Sequence, residues 1–513
     1  MGNTSTPSFV LTLKLNTGYH DEKELHDRFF YAFLMKNRLT SHARKRLRGM
    51  RQDKQYRSLM DRYHKLLGKD DDSSKKEFNL VKEQLSEIRL SYGLSEYQFH
   101  EWIAVQKNKY KGIDINTAQK IATSVWKAVE DVLFRKGKTV HFRKFDDMLS
   151  MEGKNNASGI RFKDGRLHWF KLCIQPQIRK GDAYAREALT RKVKYCRILR
   201  KPMGTKYHYY LQLVLEGTPP EKHKFLKKGN VGIDQGTSTE AVVSKKGCIL
   251  TELSEERRDI ETDISRIQRR MDRSRRASNP NNYKEDGTVK RGKKFKNSKA
   301  YKRDKMRLKT LYRRASDSSK QSAECLANEI LCNHGSDIYT EPMNYRALQK
   351  RAKETERSEK ASVVKKKDGT EITVHKYKKK KRYGKSIASH APARFMSVLK
   401  RKLGYMGKTV TEVDIYKYKA SQYNHVTNDY DKQELDERSK QIGKHHVQRD
   451  LYSAYLLMCA SGTDKPDRKK CSRNFKQFIK HQNETIRNLL INNRKYPSSM
   501  GLKDFGYLLT QEK

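Results

Sequence analysis

Residues 231–239 read Val-Gly-Ile-Asp-Gln-Gly-Thr-Ser-Thr. With the β-rich stretches 239–244 and 248–252, which are joined by the turn at 245–247, they predict three consecutive strands. Asp234 ends the first of these strands, directly after apolar residues. A buried carboxylate is costly unless a cation or hydrogen bonds compensate it, so Asp234 is a candidate functional residue.

Two further acids occupy comparable positions far along the chain. Glu341 directly follows the predicted strand 337–340. Asp450 falls on the apolar stripe that includes Val447, in a helix predicted from about residue 446 to 460. Taken singly, the three acids have structural alternatives: a turn start, an exposed strand end, and a helix N-terminus stabilised by the macrodipole. Their joint occurrence in three separate elements indicates a shared site.

Asp234, Glu341 and Asp450 are therefore predicted to converge as catalytic, metal-binding residues. Carboxylate oxygens are the ligands that Mg²⁺ prefers in proteins. Two such ions about 4 Å apart would activate a water, neutralise the phosphoryl oxygens and stabilise the leaving alkoxide of a phosphodiester. We expect a nuclease with two Mg²⁺ ions, for which Mn²⁺ is an alternative.

The composition indicates a polyanionic partner. The chain has 513 residues, with 113 Lys and Arg against 60 Asp and Glu, and a formal net charge of +53. Nucleic acid neutralises such an excess by counterion release, although a basic ribosome-like protein fits the composition alone. The seven cysteines form no Cys-X-X-Cys pair, and no apolar run is long enough to span a membrane. These features predict a protein of a reducing cytoplasm.

The first half of the chain predicts a β-barrel with an inserted helical block. Residues 8–15 alternate like a half-buried strand, and the apolar spacing is helical from residue 22 to about 136. Strand patterns return at 140–145, 159–162, 167–172 and 207–216. The strands on both sides of the helical block are expected to form one barrel.

The second half follows the order β-β-β-α-β-α-β-α. After the three strands around Asp234 come a long helix that includes Ile264 and Met271, a strand at 337–340, a helix at 391–403, a strand at 409–415, the helix 446–460 and a C-terminal helix from about 474 to 493. Acids on the first strand, at the end of the fourth strand and on the last helix of this order are the arrangement of a ribonuclease-H-like fold. The fold class is therefore multidomain α+β.

One segment combines apolar periodicity with a high density of positive charge. Residues 264–314 contain twenty Lys and Arg against four Asp and Glu. The pattern predicts a helix with one packed face and one face that contacts phosphates. The arginines expected on the phosphate-facing side are Arg269, Arg270, Arg273, Arg275 and Arg276.

Three segments carry a resemblance to a known family. They are residues 231–239, residues 339–353, which include Tyr-Thr-Glu-Pro-Met-Asn-Tyr, and residues 448–454, which read Gln-Arg-Asp-Leu-Tyr-Ser-Ala. They resemble the three RuvC motifs of TnpB nucleases and of the compact type V CRISPR effectors descended from them. The resemblance is strong over residues 229–460 and only architectural over residues 1–225.

The resemblance implies an RNA-guided DNA endonuclease of a prokaryotic cell. Its partners would be a guide RNA and double-stranded target DNA, opened beside a short flanking motif, and one RuvC site would cut both strands in turn. Arg351 and Lys353, just after the second motif, would be phosphate clamps. The implied domains are a wedge-like barrel (1–20 and 137–225), a helical recognition lobe (21–136), a RuvC-like nuclease domain (226–415 and 447–513) and a target-nucleic-acid-binding insertion (416–446).

The chain departs from the family pattern in the insertion. Family members usually carry a four-cysteine zinc ribbon there, whereas residues 416–446 contain no cysteine. His425, His445 and His446 lie in this region, but zinc sites of this kind need thiolates as well. We predict that residues 416–446 form a target-nucleic-acid-binding module without structural zinc.

Two other classes of function fit part of the pattern. One is a guided DNA-binding repressor whose nuclease is inactive, against which the three intact acids argue. The other is an unguided junction resolvase or transposase that uses Asp234, either Asp337 or Glu341, and Asp450. A discrete RNA that copurifies with the protein would separate the guided from the unguided classes.

Overall fold

The computed structural model describes residues 7–69, 71–135, 137–204, 206–220, 227–285, 287–349, 357–365, 370–377, 383–434, 437–492 and 495–510. The chain divides into two compact units, Met1–Lys222 and His223–Lys513. Among these residues, one hydrophobic core lies in the first unit and two lie in the second. The finer division into a barrel, a helical lobe, a nuclease domain and an insertion stays a prediction.

From residue 7 onward, the described part of the first unit forms a strand followed by five helices. They are β1 (Ser8–Leu15), α1 (Tyr19–Gln52), α2 (Lys54–Leu66), α3 (Asp72–Ser91), α4 (Glu96–Lys107) and α5 (Ile115–Phe134). Side chains cap several helix starts. Asp53 accepts a hydrogen bond from the Gln55 backbone N–H at 2.8 Å, and Asp114 accepts one from the Thr117 backbone N–H at 3.0 Å. These helices occupy the stretch where the apolar spacing predicts a helical block.

The remaining strands of the first unit form open sheets. They are β2 (Ser150–Glu152), β3 (Arg161–Lys163), β4 (Arg166–Trp169), β5 (Leu172–Ile174), β6 (Pro176–Gln177), β7 (Val193–Met203) and β8 (Lys206–Glu216), with α6 (Ala183–Ala188) before β7. The sheet orders are β2-β7-β8-β1-β6 and β3-β4-β5. Within the described ranges the predicted closed barrel is not observed. The edge strands β2 and β6 have three and two residues, which leaves few backbone groups to pair across a closure.

The strand predicted at 140–145 does not form. The backbone N–H and carbonyl of Arg143 are both bonded to the side-chain amide of Asn37, at 2.8 Å each. A short 3₁₀ helix, Phe145–Asp147, follows. A side chain from α1 thus takes the hydrogen bonds that a neighbouring strand would have made.

The stretch 167–172, predicted as one strand, is two strands of a hairpin. β4 ends at Trp169, β5 begins at Leu172, and these two residues pair with each other. Phe170 and Lys171 form the turn between them. The apolar residues on both sides of the turn conceal it in the sequence.

Strand β7 was not predicted, because its inward positions do not look apolar. The buried residues on this strand include Arg200 and Pro202 as well as Cys196 and Ile198. Arg200 is only 1% exposed. A charged side chain at a core position breaks the alternation by which strands are recognised.

The described residues of the second unit form eleven strands. They are β9 (Asn230–Gln235), β10 (Thr239–Ser244), β11 (Gly247–Glu252), β12 (Asp337–Thr340), β13 (Arg357–Lys365), β14 (Glu371–Tyr377), β15 (Thr411–Glu412), β16 (Tyr423–Asn424), β17 (Asp429–Tyr430), β18 (Ser439–Ile442) and β19 (His445–Gln448). The central sheet has the order β11-β10-β9-β12-β15. β10 is antiparallel to β9 and β11, whereas β12 is parallel to β9 and β15.

Eight helices are also present in the part of this unit that the structure describes. They are α7 (Arg257–Ala277), α8 (Lys299–Glu329), α9 (Tyr345–Leu348), α10 (Gly384–His390), α11 (Pro392–Tyr405), α12 (Ile415–Tyr418), α13 (Arg449–Met458) and α14 (Arg468–Ile491). A π-helical turn, Ile330–His334, extends α8, and the 3₁₀ helices are Pro280–Asn282, Ser498–Met500 and Leu502–Leu509. None of the helices in the described ranges is both long and apolar enough to cross a membrane. The cytoplasmic location stays a prediction.

The two faces of the central sheet bury different cores. Val231, Ile233 and Val242 pack on the side of α8 and α11. Ala241 and Val243 pack on the side of α13 and α14. Successive side chains of a strand point to opposite faces, so this alternation is what the sequence pattern of 231–244 requires.

Two predicted elements are shorter than expected. The strand predicted at 409–415 covers only Thr411–Glu412, because Asp414 caps α12 by accepting a hydrogen bond from the Tyr416 backbone N–H at 2.9 Å. The helix predicted from residue 446 begins at Arg449. Val447 belongs to β19, so its place on the helical stripe was wrong.

Candidate functional site

Asp234 lies at the carboxyl end of β9, where it pairs with Ala241 of β10. Gly232 is two residues earlier and therefore on the same face of the sheet. A Cβ atom at Gly232 would lie 1.9 Å from the Ala454 carbonyl oxygen and 2.5 Å from the Met458 nitrogen. Glycine lets α13 pack directly on β9, and this packing places α13 on the face that carries Asp234.

Glu341 follows β12 at the same edge of the sheet, because β12 runs parallel to β9 with Thr340 in register with Ile233. The Glu341 backbone carbonyl accepts a hydrogen bond from the Gln235 side-chain amide at 3.1 Å. Its carboxylate oxygen Oε1 accepts one from the Ala420 backbone N–H at 3.0 Å. The first bond holds Glu341 beside the end of β9, and the second orients its carboxylate.

Asp450 lies in the first turn of α13. Gln448 caps this helix, since its Oε1 accepts a hydrogen bond from the Leu451 backbone N–H at 2.6 Å. The Asp450 carboxylate is 3.5 Å from Arg449 Nε and 3.9 Å from Arg438 Nη1. Its position at a helix N-terminus matches the macrodipole alternative locally, and it also faces the cleft described next.

Asp234, Glu341 and Asp450 line one cleft of about 500 Å³. Lys432 and Arg438 line the same cleft, from the segment that precedes α13. The structure thus brings together the three predicted acids and adds cationic side chains. Sequence reasoning missed these cations, because single basic residues in a polar loop of so basic a chain form no pattern.

The acids in this cleft interact electrostatically. The pKa of Asp234 is raised well above its ordinary value, first by burial and then by the charges of Asp450 and Glu341. The guanidinium groups of Arg449 and Arg438 act in the opposite direction. Burial also raises the pKa of Glu341, and a backbone hydrogen bond partly offsets that rise. The protein therefore holds carboxylates close together where a cation would relieve their repulsion.

The donor chemistry suits a hard divalent cation, since it consists of three carboxylates without imidazole or thiolate. As the side chains stand, no group of three His, Cys, Asp or Glu residues in the described ranges is placed to hold a metal ion. Asp450 is instead paired with Arg438 and Arg449. Magnesium at this cleft therefore stays a prediction that rests on the donor set.

A buried polar network joins the ends of β9 and β12. Gln235 Nε2 donates a hydrogen bond to Thr340 Oγ1 at 2.9 Å, and the Tyr345 hydroxyl donates one to Gln235 Oε1 at 3.1 Å. Because Asp234 precedes Gln235 and Glu341 follows Thr340, this network fixes the spacing of the two acids. The sequence did not predict that Gln235 and Tyr345 position the acids, although both lie within the motif segments 231–239 and 339–353.

Glu240 is a buried acid that the sequence did not predict. It is completely buried on β10, in register with Gln235. Neither carboxylate oxygen has a hydrogen-bond partner among the described residues. Burial and the nearby charge of Asp234 raise the pKa of Glu240 well above its ordinary value. In the sequence, a glutamate between Thr239 and Ala241 looks like a solvent-facing strand residue.

The arginines predicted to face phosphates lie on α7, and Arg269, Arg270 and Arg273 are exposed. Arg270 also donates a hydrogen bond from Nε to Asp304 Oδ2 at 2.6 Å, and Asp304 is buried on α8. That ion pair joins the two helices. The phosphate-facing role of these arginines stays a prediction.

Two further arginines of this group also have partners in the protein. The guanidinium of Arg275 lies 3.7 Å from the centre of the Phe295 ring. Arg276 Nε donates a hydrogen bond to Asp272 Oδ2 at 2.9 Å on the same helix. Phe295 lies in the segment between α7 and α8, and Arg276 also donates a hydrogen bond to the Gly287 carbonyl of that segment at 3.3 Å.

Arg351 and Lys353, predicted as phosphate clamps, lie outside the described residues. The described chain reaches residue 349 and continues from residue 357. Their role stays a prediction.

Asp337, the alternative acid of the transposase hypothesis, lies at the opposite end of β12 from Glu341. Its carboxylate accepts a hydrogen bond from Lys408 Nζ at 2.7 Å. It does not line the acidic cleft. The geometry therefore favours Glu341 as the middle acid.

The histidines near the insertion serve packing. His425 is buried, and its Nδ1 lies 2.7 Å from the Tyr452 hydroxyl. Burial is the main cause that lowers the pKa of His425 to about 4. The rings of His446 and Phe505 are stacked with centres 4.7 Å apart. These contacts pack both rings against aromatic side chains, and the absence of structural zinc stays a prediction.

No protein-family model matches the chain, and no curated protein matches it. Among solved structures, 23 chains match. A cryo-EM structure of the Cas12f1–sgRNA–target DNA complex has 10% sequence identity over 89% of this chain and 99% of that chain, with a TM-score of 0.42. A cryo-EM structure of a CRISPR–Cas12f ternary complex has 11% identity over 87% of this chain and 83% of that chain, with a TM-score of 0.27. Likenesses this loose do not assign the fold, so the geometry of the acidic cleft carries the functional argument.

Proposed function

We propose that this chain is an RNA-guided DNA endonuclease that hydrolyses phosphodiesters at the cleft of Asp234, Glu341 and Asp450. The observation that carries the proposal is the convergence of these acids, from three separate elements, on one cleft. The strand order β11-β10-β9-β12-β15, with β10 antiparallel to its neighbours, supports a ribonuclease-H-like nuclease domain. In such a sheet the acids at the ends of β9 and β12 meet at one edge.

Mg²⁺ bound by these three carboxylates would supply an activated water and neutralise charge on the phosphodiester. The protein's own part is to hold the carboxylates in place, which the Gln235 and Tyr345 network does from the opposite face of the sheet. Lys432 and Arg438, at the wall of the cleft, are suited to bind the phosphate oxygens of the DNA strand.

The guided character of the activity rests on two features of the sequence. The motif segments resemble those of TnpB nucleases and compact type V CRISPR effectors. The formal net charge of +53 suits a protein that holds a guide RNA and its target DNA together. We accordingly propose that the duplex is opened beside a short flanking motif and that the single cleft cuts both strands in turn.

The test begins with the RNA that copurifies with the full-length protein, which is extracted and sequenced. A plasmid that carries the complement of the guide is then incubated with the complex and Mg²⁺, with Asp234→Ala as the matched inactive variant. A discrete RNA together with cleavage that Asp234→Ala abolishes supports the proposal.

Two other results would contradict it in different ways. A discrete RNA with specific DNA binding but no cleavage by the wild type would indicate a guided repressor. Absence of RNA, with cleavage of branched DNA or of transposon ends, would indicate an unguided resolvase or transposase.

A further inference from the structure

The small sheet β3-β4-β5 of the first unit contains two turns of two residues each. Lys163 pairs with Arg166 across the first turn, and Trp169 pairs with Leu172 across the second. The two turns differ in the residues that they use. The second turn has an unusual residue, Phe170, at its first position.

The first turn uses residue types suited to its backbone. Asp164 and Gly165 both adopt the left-handed conformation, with φ of 49° and 73°. Asp and Gly are the pair that two-residue hairpin turns with positive φ prefer. This turn is therefore formed at little conformational cost.

The second turn places an aromatic residue where glycine is preferred. Phe170 has a φ of 50°, and Lys171 after it is not in the left-handed region. A two-residue turn with positive φ only at its first position normally has glycine there, because a Cβ atom crowds the backbone. For a bulky residue this conformation is an outlier of the kind that clusters at ligand-binding sites.

Burial does not compensate this strain. Phe170 is 61% exposed, whereas Trp169 beside it is completely buried. An exposed phenyl ring gains little from the hydrophobic effect. A requirement of the core therefore does not explain the presence of Phe170.

Buried residues nevertheless hold the Phe170 ring in place. The guanidinium of the buried Arg28 lies 5.3 Å from the centre of the Phe170 ring and 4.3 Å from that of Trp169. Arg28 Nη1 donates a hydrogen bond to the Trp169 carbonyl at 2.9 Å. Trp169 Nε1 in turn donates to Asp114 Oδ2 at 2.8 Å. The β4-β5 turn thus presents an exposed aromatic ring, and the contacts of Arg28 and Trp169 hold its position.

The chain around Phe170 is strongly basic. Residues 161–180 contain six Lys and Arg and one Asp. Lys171, beside Phe170 in the turn, is exposed, and so is Arg166 at the start of β4. A fixed, exposed aromatic ring among cations is the combination that holds an unpaired nucleobase and its phosphates.

We infer that Phe170 is a stacking site for an unpaired base of a nucleic-acid strand, with Lys171 beside it to contact the phosphate backbone. The inference deepens the proposed function, on which it rests for the presence of a nucleic-acid partner. It assigns to the first unit a contact that does not depend on the acidic cleft.

The test compares three variants of the full-length chain. Phe170→Gly supplies the residue that the backbone prefers, and Phe170→Trp keeps an aromatic ring. Phe142→Ala is the matched control, because Phe142 is 51% exposed and lies beside Arg44, with 5.0 Å from its ring centre to the guanidinium, but lacks a positive φ. Binding of fluorescein-labelled oligo(dT) and oligo(rU) is measured by anisotropy with EDTA present, together with the melting temperature.

Phe170→Gly is expected to weaken binding of at least one probe by about tenfold, as expected for the loss of one stacked base. Its melting temperature should equal or exceed that of the wild type, because the strained residue is gone. Phe170→Trp and Phe142→Ala should bind within about twofold of the wild type. The probe that responds more strongly identifies whether the base belongs to DNA or to RNA.

Three outcomes would overturn the inference. Phe170→Gly could bind both probes as the wild type does, or Phe142→Ala could weaken binding equally, which would make the effect unspecific. Phe170→Gly could also lower the melting temperature, which would assign the ring a structural role. These failures differ from failure of the proposed function, which would appear as a wild-type protein that binds neither probe or cleaves no DNA.

Discussion

Each of the two units buries an ionisable side chain on a strand, and the two side chains differ in their hydrogen bonds. Arg200 on β7 of the first unit is 1% exposed, and its Nε donates a hydrogen bond to the Met148 carbonyl at 2.6 Å. Its guanidinium also donates to the Phe145 carbonyl and lies 4.9 Å from the centre of the Phe29 ring. Glu240 on β10 of the second unit is completely buried and has no hydrogen-bond partner among the described residues.

The difference separates a buried charge that the fold supports from a buried acid that it does not support. Arg200 is supported by backbone carbonyls and aromatic rings, which stabilise the folded state. Glu240 has no such support, and the charge of Asp234, which has the same sign, adds to the effect of burial and raises the pKa of Glu240. A buried acid without a partner costs stability, so Glu240 should destabilise the fold whereas Arg200 should not.

The largest expected effect comes from Asp234→Asn. The amide cannot replace the carboxylate as a ligand for a hard cation, so cleavage should fall by about 10³-fold or more. The melting temperature of the metal-free protein should equal or exceed that of the wild type, because a buried acid among like charges is removed. A plasmid-cleavage assay and thermal unfolding measure the two effects.

Asp337→Asn is the matched control for this prediction. Asp337 is also an acid on a strand of the central sheet, but it is paired with Lys408 and lies outside the cleft. Its variant should cleave at close to the wild-type rate. Equal inactivation by Asp337→Asn would mean that Glu341 was the wrong choice of middle acid.

Arg200→Met tests the supported charge of the first unit. The substitution leaves the Met148 and Phe145 carbonyls without their donor and removes the aromatic contacts, so unfolding should become easier by about 3 kcal/mol. Urea unfolding measures this change. Arg161→Met, at an exposed position of the same unit, should stay within about 0.5 kcal/mol of the wild type. Similar losses of unfolding free energy in both variants would show that the buried contacts of Arg200 do not stabilise the fold.

Glu240→Gln tests the unsupported acid of the second unit. Because the neutral amide need not be desolvated as a charge, the variant should be more stable by about 1 kcal/mol at neutral pH. Cleavage should stay within about twofold of the wild type, since the residue does not line the cleft. Glu484→Gln, exposed on α14, serves as control. Destabilisation by Glu240→Gln would show that the carboxylate has a partner after all.

The smallest effect is a shift in pH dependence. Because its pKa is raised, folded Asp234 keeps its proton at pH values where the unfolded chain has lost it. Stability of the metal-free protein therefore falls as the pH rises from the ordinary carboxyl value through the raised one, and Asp234→Asn should flatten this slope. Unfolding at a series of pH values in EDTA measures it, and an unchanged slope in the variant would contradict the assignment.

Cleavage should have the opposite dependence, rising with pH over the same window, because cation binding requires deprotonated carboxylates. Tenfold more Mg²⁺ should move the midpoint of the rate profile to lower pH, by about one unit if each bound ion displaces one proton and by less if it displaces more. Rate profiles at two Mg²⁺ concentrations measure this shift. A midpoint that is independent of Mg²⁺ would argue against metal binding by these acids.

The central sheet and its acids could be read from the sequence because their signals are local. Strands β10 and β12 have the predicted bounds, and β9 and β11 differ from them by a residue or so at an end. In each case a short apolar run is followed by a turn or by a polar residue. The parallel pairing of β9 with β12 then places Asp234 and Glu341 at one edge.

Other elements could not be read, because residues remote in sequence decide them. Asn37 takes the backbone hydrogen bonds of Arg143 and prevents a strand there. Arg200 occupies a core position that only its carbonyl and aromatic partners make tolerable. The ion pair of Arg270 with Asp304 likewise depends on how α7 and α8 pack.

By itself, the sequence determined the order of the elements that carry the three acids, the acids themselves and the excess of positive charge, since each is a property of composition or of a short pattern. Only the tertiary structure decided that the acids share a cleft, that Glu240 lies buried without a partner, and that Phe170 stands exposed in a strained turn. The physical reason is that burial, electrostatic repulsion and backbone strain depend on which distant groups surround a residue, and no local pattern encodes those neighbours.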